Sequence, residues 1–260
     1  MDSRIQFCLV IFMVTLATIL SPTLAKLTPN YYDRVCPKAL PIIKSLVKQA
    51  IYREPRIGAS LLRLHFHDCF VNLGGNQYWY KVLLGRRDAR NASWAAANAN
   101  LPPPFFNFSQ LITSFQSHGL NLKDLVVLSG AHTIGFAKCS SFRDRIFNDT
   151  NIDNNFAANL RKTCPRIGGD TNLAPLDSTP TKVDTTYYKS LLYKKGLLHS
   201  DQELYKGDGS QSDRLVQLYS KNPYAFAKDF GVSMIKMGNL KPLTGRKGEI
   251  RCNCRKVNNY

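Results

Sequence analysis

The chain is 260 residues long, and its 35 Lys and Arg against 18 Asp and Glu give a formal net charge of +17. After the amino terminus no apolar run is long enough to cross a bilayer, and the chain contains no internal repeat or low-complexity tract. These features argue against a membrane-spanning protein and against a repeat array. They favour a single domain that is free in solution.

The first 25 residues have the pattern of a secretory signal peptide. An early cation, Arg4, precedes an apolar run over residues 7–20, and small residues, Thr23 and Ala25, stand third-last and last. We expect cleavage after Ala25 and secretion of residues 26–260. The apolar run is short for a bilayer span, so a retained anchor is the less favoured alternative.

Apolar residues recur at helical spacing along most of the remaining chain. The pattern predicts α-helices over residues 41–53, 58–72, 109–117, 122–128, 156–163, 185–193, 212–220 and 223–237. Ser109 and Asp184 are the expected caps of two helices. The first helix is expected to pack beside the helix of Arg63 through the apolar residues that recur at helical spacing, Ile42, Ile43, Val47, Ala50 and Ile51. Residues 74–104 are predicted to be loop-rich. The expected fold class is mainly α.

The helix predicted over residues 58–72 carries the strongest chemical signal. Arg63 and His67 are four residues apart, so they share one helix face, which Phe66 also joins. An imidazole beside a guanidinium suits acid-base chemistry in which developing negative charge is stabilised. A solvated Arg beside a core His is the alternative. A zinc site from His65, His67 and Cys69 is conceivable too, but its spacing fits no common ligand pattern.

The residues of this helix resemble those of a known protein family. Residues 63–72, Arg-Leu-His-Phe-His-Asp-Cys-Phe-Val-Asn, are similar to the distal helix of the class III secretory plant haem peroxidases. Further similar stretches follow in the family's order at residues 83–88, 128–135, 196–202, 236–239, 242–245 and 254–258. The resemblance covers nearly all of the chain after Lys26. It implies a mainly α, single-domain haem peroxidase fold for residues 26–260.

The resemblance implies a cofactor, one haem b, and a role for four side chains. His132 corresponds to the axial ligand of the haem iron and Asp201 to the carboxylate that supports it. His67 corresponds to the distal acid-base residue and Arg63 to the distal cation. Without the resemblance, His132 could instead cap a helix and Asp201 could start a turn.

The implied reaction uses hydrogen peroxide to oxidise two donor molecules, commonly phenols or other small aromatic compounds, by one electron each. The counterpart of His67 takes a proton from peroxide and gives it to the departing oxygen, while that of Arg63 stabilises the charge. Pro102 matches the residue that helps to hold an aromatic donor. A Pro-rich surface loop is the alternative for that position.

The family also binds calcium at two sites. Thr133, Asp177, Thr179 and Asp184 fall where the family builds its proximal site, with oxygen ligands suited to that ion. The stretch after Asp177 is one residue shorter than usual, which makes Asp177 the weakest assignment. Asp68 and Val71 remain from the distal site, and two oxygens do not satisfy an ion that prefers six to eight.

The resemblance breaks after Asn72, where a block of roughly 60 residues, enough for two average helices with their loops, is missing. The break falls between Asn72 and Leu73. It removes most distal calcium ligands, the asparagine that orients the distal histidine in the family, and one wall of the haem pocket. Part of the distal half of the fold is therefore expected to be absent.

Of the seven cysteines, Cys8 leaves with the signal peptide. By the resemblance, Cys139 and Cys164 form a family disulfide, which should stabilise the fold by about 3 kcal/mol. The halves whose partners lay in the missing block are Cys36, Cys69 and Cys254. Cys252 is an addition, and rearranged pairing among these four is an open alternative.

The secretory route bears on modification and partners. Three triplets fit the N-glycosylation pattern, and they begin at Asn91, Asn107 and Asn148. With an extracellular or cell-wall location implied by the resemblance, acidic wall polysaccharide is the expected polyanion, rather than nucleic acid or a membrane. Solubility without a specific partner is the alternative.

Three functions follow as hypotheses. The first is a secreted haem peroxidase. The second is a catalytically impaired or inactive member of that family, because of the missing block. The third is a basic extracellular polysaccharide-binding protein on the same scaffold.

Overall fold

The computed structural model describes residues 27–71 and 82–259, without the side chain of Val71. The predicted signal peptide and the break after Asn72 lie outside these residues. Within them the α-helices, α1 to α11 in chain order, are Ala39–Arg53, Arg56–Val71, Trp94–Asn100, Phe108–Ser117, Leu122–Ser129, Arg143–Asn148, Asn154–Thr163, Thr186–Leu192, His199–Gln202, Gln211–Lys221 and Pro223–Gly238. The mainly α prediction is confirmed.

The remaining regular elements are short. Two 3₁₀ turns span Gly130–Thr133 and Cys139–Ser141. Strands β1, Phe136–Lys138, and β2, Leu173–Pro175, pair antiparallel. Among the described residues, no helix combines the length and hydropathy that a bilayer crossing requires.

All eight predicted helices are present, and their ends lie within two residues of the predicted ones. One predicted cap is wrong. Asn107, not Ser109, caps α4, because its Oδ1 accepts a hydrogen bond from Gln110 N at 2.9 Å while the Gln110 side chain accepts from Asn107 N at 3.0 Å. Asp184 does serve the start of α8, since its Oδ1 accepts from Thr186 N at 2.7 Å.

The prediction that residues 74–104 contain no helix is wrong at α3. Its sequence, Trp-Ala-Ala-Ala-Asn-Ala-Asn, lacks an apolar stripe, and Trp94 is 84% exposed. The alanines favour the helical backbone intrinsically, and the side chain of Ser93 caps the helix by accepting from Ala96 N at 3.0 Å. Propensity and a cap formed this helix where periodicity gave no signal.

The main core lies between α2, α4, α5, α8, α10 and α11. Tyr187, Tyr188, Tyr219 and Phe226 form a chain of ring contacts, with centroids 5.1 to 5.3 Å apart between successive rings that involve Tyr188. All four are at most 4% exposed. The Tyr188 hydroxyl donates to Val126 O in α5 at 3.1 Å, so the buried phenol is satisfied. This packing fixes the helix that precedes His132.

A second, smaller core surrounds the one disulfide found among the described residues. Cys139 and Cys164 are bonded, with their Cα atoms 5.5 Å apart, as the resemblance implies. Both are fully buried, together with Phe142, Ile146 and Leu197. The cross-link ties the 3₁₀ turn Cys139–Ser141 to the residue that follows α7.

The helix α1 packs beside α2 as predicted, but its predicted apolar face is covered only in part. Ile42, Ile43 and Leu46 are 52%, 49% and 59% exposed, and α1 has no buried residue. The helix packs on α2 through its later turns, where Ile51 lies 3.8 Å from the position that a Cβ on Gly58 would occupy. No other described element covers the earlier apolar residues, so they stay in solvent.

A buried polar contact joins α5 to α11. Asp124 accepts from Ser233 Oγ at 2.7 Å and from Lys236 Nζ. Burial raises the pKa of Asp124, but the hydrogen bonds, led by that of Lys236, outweigh it and leave the pKa below its ordinary value. The carboxylate therefore stabilises the fold at neutral pH, and this contribution is lost as the pH falls through its lowered pKa.

We expect Asp124→Ala to lower the free energy of unfolding by about 2–3 kcal/mol, because it removes charged hydrogen bonds from a buried position. Urea denaturation at pH 7 measures the change. Lys123→Ala is the control, since Lys123 is half-exposed and pairs with Asp229 at the surface; it should cost about 1 kcal/mol or less. Equal losses in the two variants would contradict the interpretation.

Candidate functional site

His132 lies in the 3₁₀ turn that continues α5. The turn needs a glycine at its first position, because a Cβ on Gly130 would collide with the side chains of Tyr188 and Phe226. The buried helix and this close contact together fix where the His132 backbone emerges from the core. The His132 side chain itself is 36% exposed, so one side of the ring is open.

His132 is held by a buried carboxylate, as the sequence predicts. Its Nδ1 lies 2.7 Å from Asp201 Oδ1, and Asp201 is 1% exposed. The short helix α9 places Asp201, whose second oxygen accepts from Leu198 N at 3.0 Å. Burial lowers the pKa of His132, but the charge and the hydrogen bond of Asp201 outweigh it and raise the pKa above its ordinary value.

The donor chemistry of His132 suits an iron ligand. Because Asp201 accepts the proton on Nδ1, the neutral ring carries its lone pair on Nε2. Within the described ranges Nε2 has no hydrogen-bond partner. A histidine fixed in this tautomer by a carboxylate is the ligand arrangement that a haem iron needs, so the residues present fit the group.

Arg63 and His67 occupy one face of α2, as their spacing predicts. Arg63 Nε donates to His67 Nε2 at 3.2 Å. Burial, and then the charge of Arg63, lower the pKa of His67, so the imidazole is neutral at pH 7. The charge of Arg63 opposes the rise in the pKa of His132.

His65 points to the other side of α2. It is 7% exposed, its Nε2 lies 3.7 Å from Cys69 Sγ, and burial lowers its pKa to about 4. His65 and His67 therefore do not converge. Over residues 27–71 and 82–259 no three His, Cys, Asp or Glu side chains are grouped to hold a metal, so the zinc alternative has no geometric support.

The four predicted proximal calcium residues lie together beside His132. Thr133 Oγ1 is 3.4 Å from Asp177 Oδ2 and 3.2 Å from the main-chain oxygen of Asp184. Thr179 Oγ1 donates to Asp177 Oδ1 at 3.2 Å, so Asp177 joins the cluster despite its irregular spacing. Burial raises the pKa of Asp177. Two carboxylates, hydroxyls and main-chain oxygens could hold a calcium ion here.

The other predicted ligands stand apart. Asp68 is half-buried, and its pKa is raised by burial, with Arg251 opposing and Asp88 adding to the rise. Pro102 lies in the loop between α3 and α4, and this loop is tied to α9 because Pro104 O accepts from Ser200 N at 2.9 Å. The roles of Asp68, Val71 and Pro102 stay predictions.

The predicted modification sites are accessible. The three glycosylation acceptors, Asn91, Asn107 and Asn148, are exposed. Exposed thiols without a disulfide are found at Cys36, Cys252 and Cys254, whereas Cys69 is buried. Glycosylation and any further pairing of these cysteines stay predictions.

One polar contact of the site is not predicted from the sequence. The hydroxyl of Tyr187 donates to Asp201 Oδ1 at 3.0 Å, on the same oxygen that His132 uses. Tyr187 sits in α8 with an ordinary helical pattern, and nothing in its sequence neighbourhood indicates a polar partner. The only available signal is a phenol at a core position, which generally needs a hydrogen bond.

A mainly α fold with a carboxylate-bound histidine on one element and a His–Arg pair on another is the arrangement that the resemblance to the haem peroxidases implies. Comparison with known sequences gives the same class. The sequence profile of the Peroxidase family matches residues 71–222. Members of this family generally bind haem and calcium.

The relatives narrow the class to a family. "Peroxidase RIP1" of Medicago truncatula is 57% identical over 98% of this chain and 99% of its own length. "Peroxidase 4" of Vitis vinifera is 42% identical over 96% and 97%, and "Peroxidase 2" of Oryza sativa subsp. indica is 42% identical over 95% and 98%. The chain belongs to the class III plant peroxidases, which are hydrogen-peroxide-dependent oxidoreductases.

The alignment with the Medicago relative is longer than this chain. It spans 321 positions with the Medicago relative, whereas this chain has 260 residues, so at least 61 positions have no counterpart here. That surplus matches in size the block of about 60 residues that the sequence predicts to be missing. The position of the block, after Asn72, stays a prediction.

We expect calcium to stabilise the protein through the proximal cluster. At a calcium concentration 100 times the Kd, the gain in unfolding free energy should be about 2.7 kcal/mol. Differential scanning calorimetry with calcium and with EDTA measures this gain. The pair of substitutions Asp177→Ala and Asp184→Ala should abolish it, while Asp33→Ala, at an exposed position, should not. A gain that survives the double substitution would place the ion elsewhere.

Proposed function

We propose that this chain is a secreted peroxidase that holds one haem b through His132 and oxidises phenolic or other small aromatic donors by one-electron steps. The observation that carries the proposal is the 2.7 Å contact between His132 Nδ1 and the buried Asp201 carboxylate. It leaves Nε2, the atom that would bond iron, with its lone pair available. Bound haem would supply the electron-transfer chemistry with peroxide.

On the proximal side the protein prepares a ligand. Asp201 draws the Nδ1 proton toward itself and so increases the electron density on the ring, which favours high oxidation states of a bound metal. The buried carboxylate also fixes the ring orientation. Thr133 follows His132 directly, and a calcium ion held by Thr133, Asp177 and Asp184 would brace the turn that presents the ligand.

On the distal side the protein prepares a base. His67 is neutral, and its Nε2 carries the lone pair of the ring, because it accepts from Arg63 Nε. Once Arg63 releases this lone pair, Nε2 is the atom that would take a proton from hydrogen peroxide and return it to the departing oxygen. Arg63 would stabilise the negative charge that develops as the bond between the oxygens breaks. Both side chains come from one rigid helix, α2, which preserves their relative placement.

A second candidate, an impaired member of the family, is favoured by a specific observation. In residues 27–71 and 82–259, no side chain or main-chain oxygen accepts a hydrogen bond from His67 Nδ1. The ring is therefore oriented through Arg63 and an edge contact with Phe66, whose centroid is 5.8 Å away. A base held in this way adopts the productive orientation for less of the time, which lowers the rate of proton transfer.

Binding to acidic wall polysaccharide stays a prediction from net charge.

We expect the chain mixed with haemin to develop a Soret band that depends on His132. The substitution His132→Ala removes the proposed ligand atom, Nε2, so the band should be lost or displaced. Absorption titration measures this change. His118→Gln is the matched control, because His118 lies outside the site at the end of α4. A normal band with His132→Ala would overturn the assignment.

We expect His67→Leu to retain haem and to lower kcat/KM for hydrogen peroxide by about 10²–10⁴-fold, because general acid-base catalysis contributes that much. Stopped-flow kinetics with excess peroxide measure the rate. If the wild-type chain and His67→Leu are both slow, the impaired alternative is correct. If the wild-type chain is fast and His67→Leu is equally fast, His67 is not the base.

A further inference from the structure

We propose that the hydroxyl of Tyr187 sets the strength of the hydrogen bond between His132 and Asp201 and thereby tunes how strongly the His132 ring donates electrons to the haem iron. This makes Tyr187 a positioning residue, which acts through Asp201 and not on the substrate. The inference rests on the proposed function, because it presupposes that His132 is the iron ligand.

Two hydrogen-bond donors, His132 and Tyr187, share one oxygen of Asp201. Asp201 Oδ1 accepts from His132 Nδ1 at 2.7 Å and from the Tyr187 hydroxyl at 3.0 Å, while Oδ2 accepts from Leu198 N at 3.0 Å. The carboxylate thus has three donors, two of them on the same oxygen. Each donor stabilises part of the negative charge, so each one lowers the acceptor strength that is left for the others.

The setting makes this competition strong. Tyr187 and Asp201 are each 1% exposed, so bulk water does not replace or screen the contact. Burial, and then the charge of Asp201, raise the pKa of Tyr187 well above its ordinary value. The phenol therefore keeps its proton and acts as a donor at every working pH.

The ring of Tyr187 is fixed in place. It meets the His132 ring edge-on at 6.1 Å between centroids and the Tyr188 ring edge-on at 5.1 Å. Helix α8 holds the backbone, and its contact with the 3₁₀ turn places Tyr187 beside His132. The hydroxyl consequently has a defined position toward Asp201, and replacing tyrosine by phenylalanine removes the oxygen while keeping these ring contacts.

Removing the hydroxyl should have a definite direction of effect. With one donor fewer, Asp201 becomes a stronger acceptor for His132 Nδ1–H, and the ring becomes more like an imidazolate. A more electron-rich ligand stabilises the oxidised metal. The reduction potential of the loaded protein should therefore fall when Tyr187 loses its oxygen.

The first test uses the protein without haem. Histidine labelled with ¹⁵N gives few ring signals to assign, because the chain has five histidines. In Tyr187→Phe the proton on His132 Nδ1 should resonate further downfield than in the wild type, as its hydrogen bond strengthens. Tyr188→Phe is the matched control, since this neighbour is equally buried but donates to Val126 O. No shift in Tyr187→Phe, or an equal shift in Tyr188→Phe, overturns the proposal.

The second test uses the haem-loaded protein and spectroelectrochemistry. Tyr187→Phe should keep the Soret band and lower the midpoint potential, with a shift of up to tenfold in the equilibrium between oxidised and reduced protein, about 59 mV for one electron. Tyr188→Phe should leave the potential unchanged. An unchanged or higher potential in Tyr187→Phe overturns the proposal while leaving the haem-binding role of His132 intact.

The two proposals fail in different ways. If haem binding does not depend on His132, the proposed function fails and the tuning of iron fails with it. If binding depends on His132 and the potential does not depend on Tyr187, only the present inference fails. If Tyr187→Phe does not fold, Tyr187 is replaced by 3-fluorotyrosine, which strengthens the donor instead of deleting it. The His132 proton should then move upfield, and the opposite movement or none overturns the proposal.

Discussion

The buried hydrogen bond between His132 and Asp201 is the interaction on which the site depends. A carboxylate that is 1% exposed must have its oxygens satisfied, because an unpaired buried charge is costly. Asp201 meets this requirement with donors from three separate parts of the chain, namely the 3₁₀ turn, helix α8 and the residue that starts α9. The need to satisfy one carboxylate therefore holds these three elements in register. It also fixes the tautomer of His132.

The two sides of the site differ in how completely they are built. The proximal side rests on the aromatic core, and the proximal oxygen cluster adjoins it directly at Thr133. The distal side rests on α2, whose neighbour α1 leaves Ile42, Ile43 and Leu46 largely in solvent. His67 has Arg63 as its hydrogen-bond partner, whereas His132 has a fixed carboxylate. At least 61 positions of the alignment with the Medicago relative have no counterpart in this chain. If they are missing after Asn72, as the sequence predicts, the support is lost on the distal side.

The roles proposed for His132 and His67 differ in the same way as the support of the two sides. The ligand role proposed for His132 depends on the proximal elements, all of which lie after residue 107. Proton transfer by His67 depends on how well its ring is oriented, and that support is the thinner of the two. Membership of the class III peroxidases therefore follows from the whole chain, whereas the proposed role of His67 depends on a few contacts on α2.

The sequence by itself determined the features that are local. Eight helices follow from apolar spacing, the shared face of Arg63 and His67 follows from a separation of four residues, and the family words identify His132 and Asp201. Apolar periodicity did not predict α3, because the formation of this helix comes from alanine propensity. The predicted cap of α4, Ser109, was wrong, because Asn107 occupies the cap position.

Only the tertiary structure decided the contacts between distant residues. His132 and Asp201 are 69 residues apart in the chain, and no local pattern shows that Tyr187 reaches the same carboxylate oxygen. The exposure of Ile42 and Ile43 is of the same kind, since an apolar helix face is buried only if another element covers it. Spacing along a helix is a property of the chain, whereas a hydrogen bond or a covered surface depends on what the rest of the fold brings to that point.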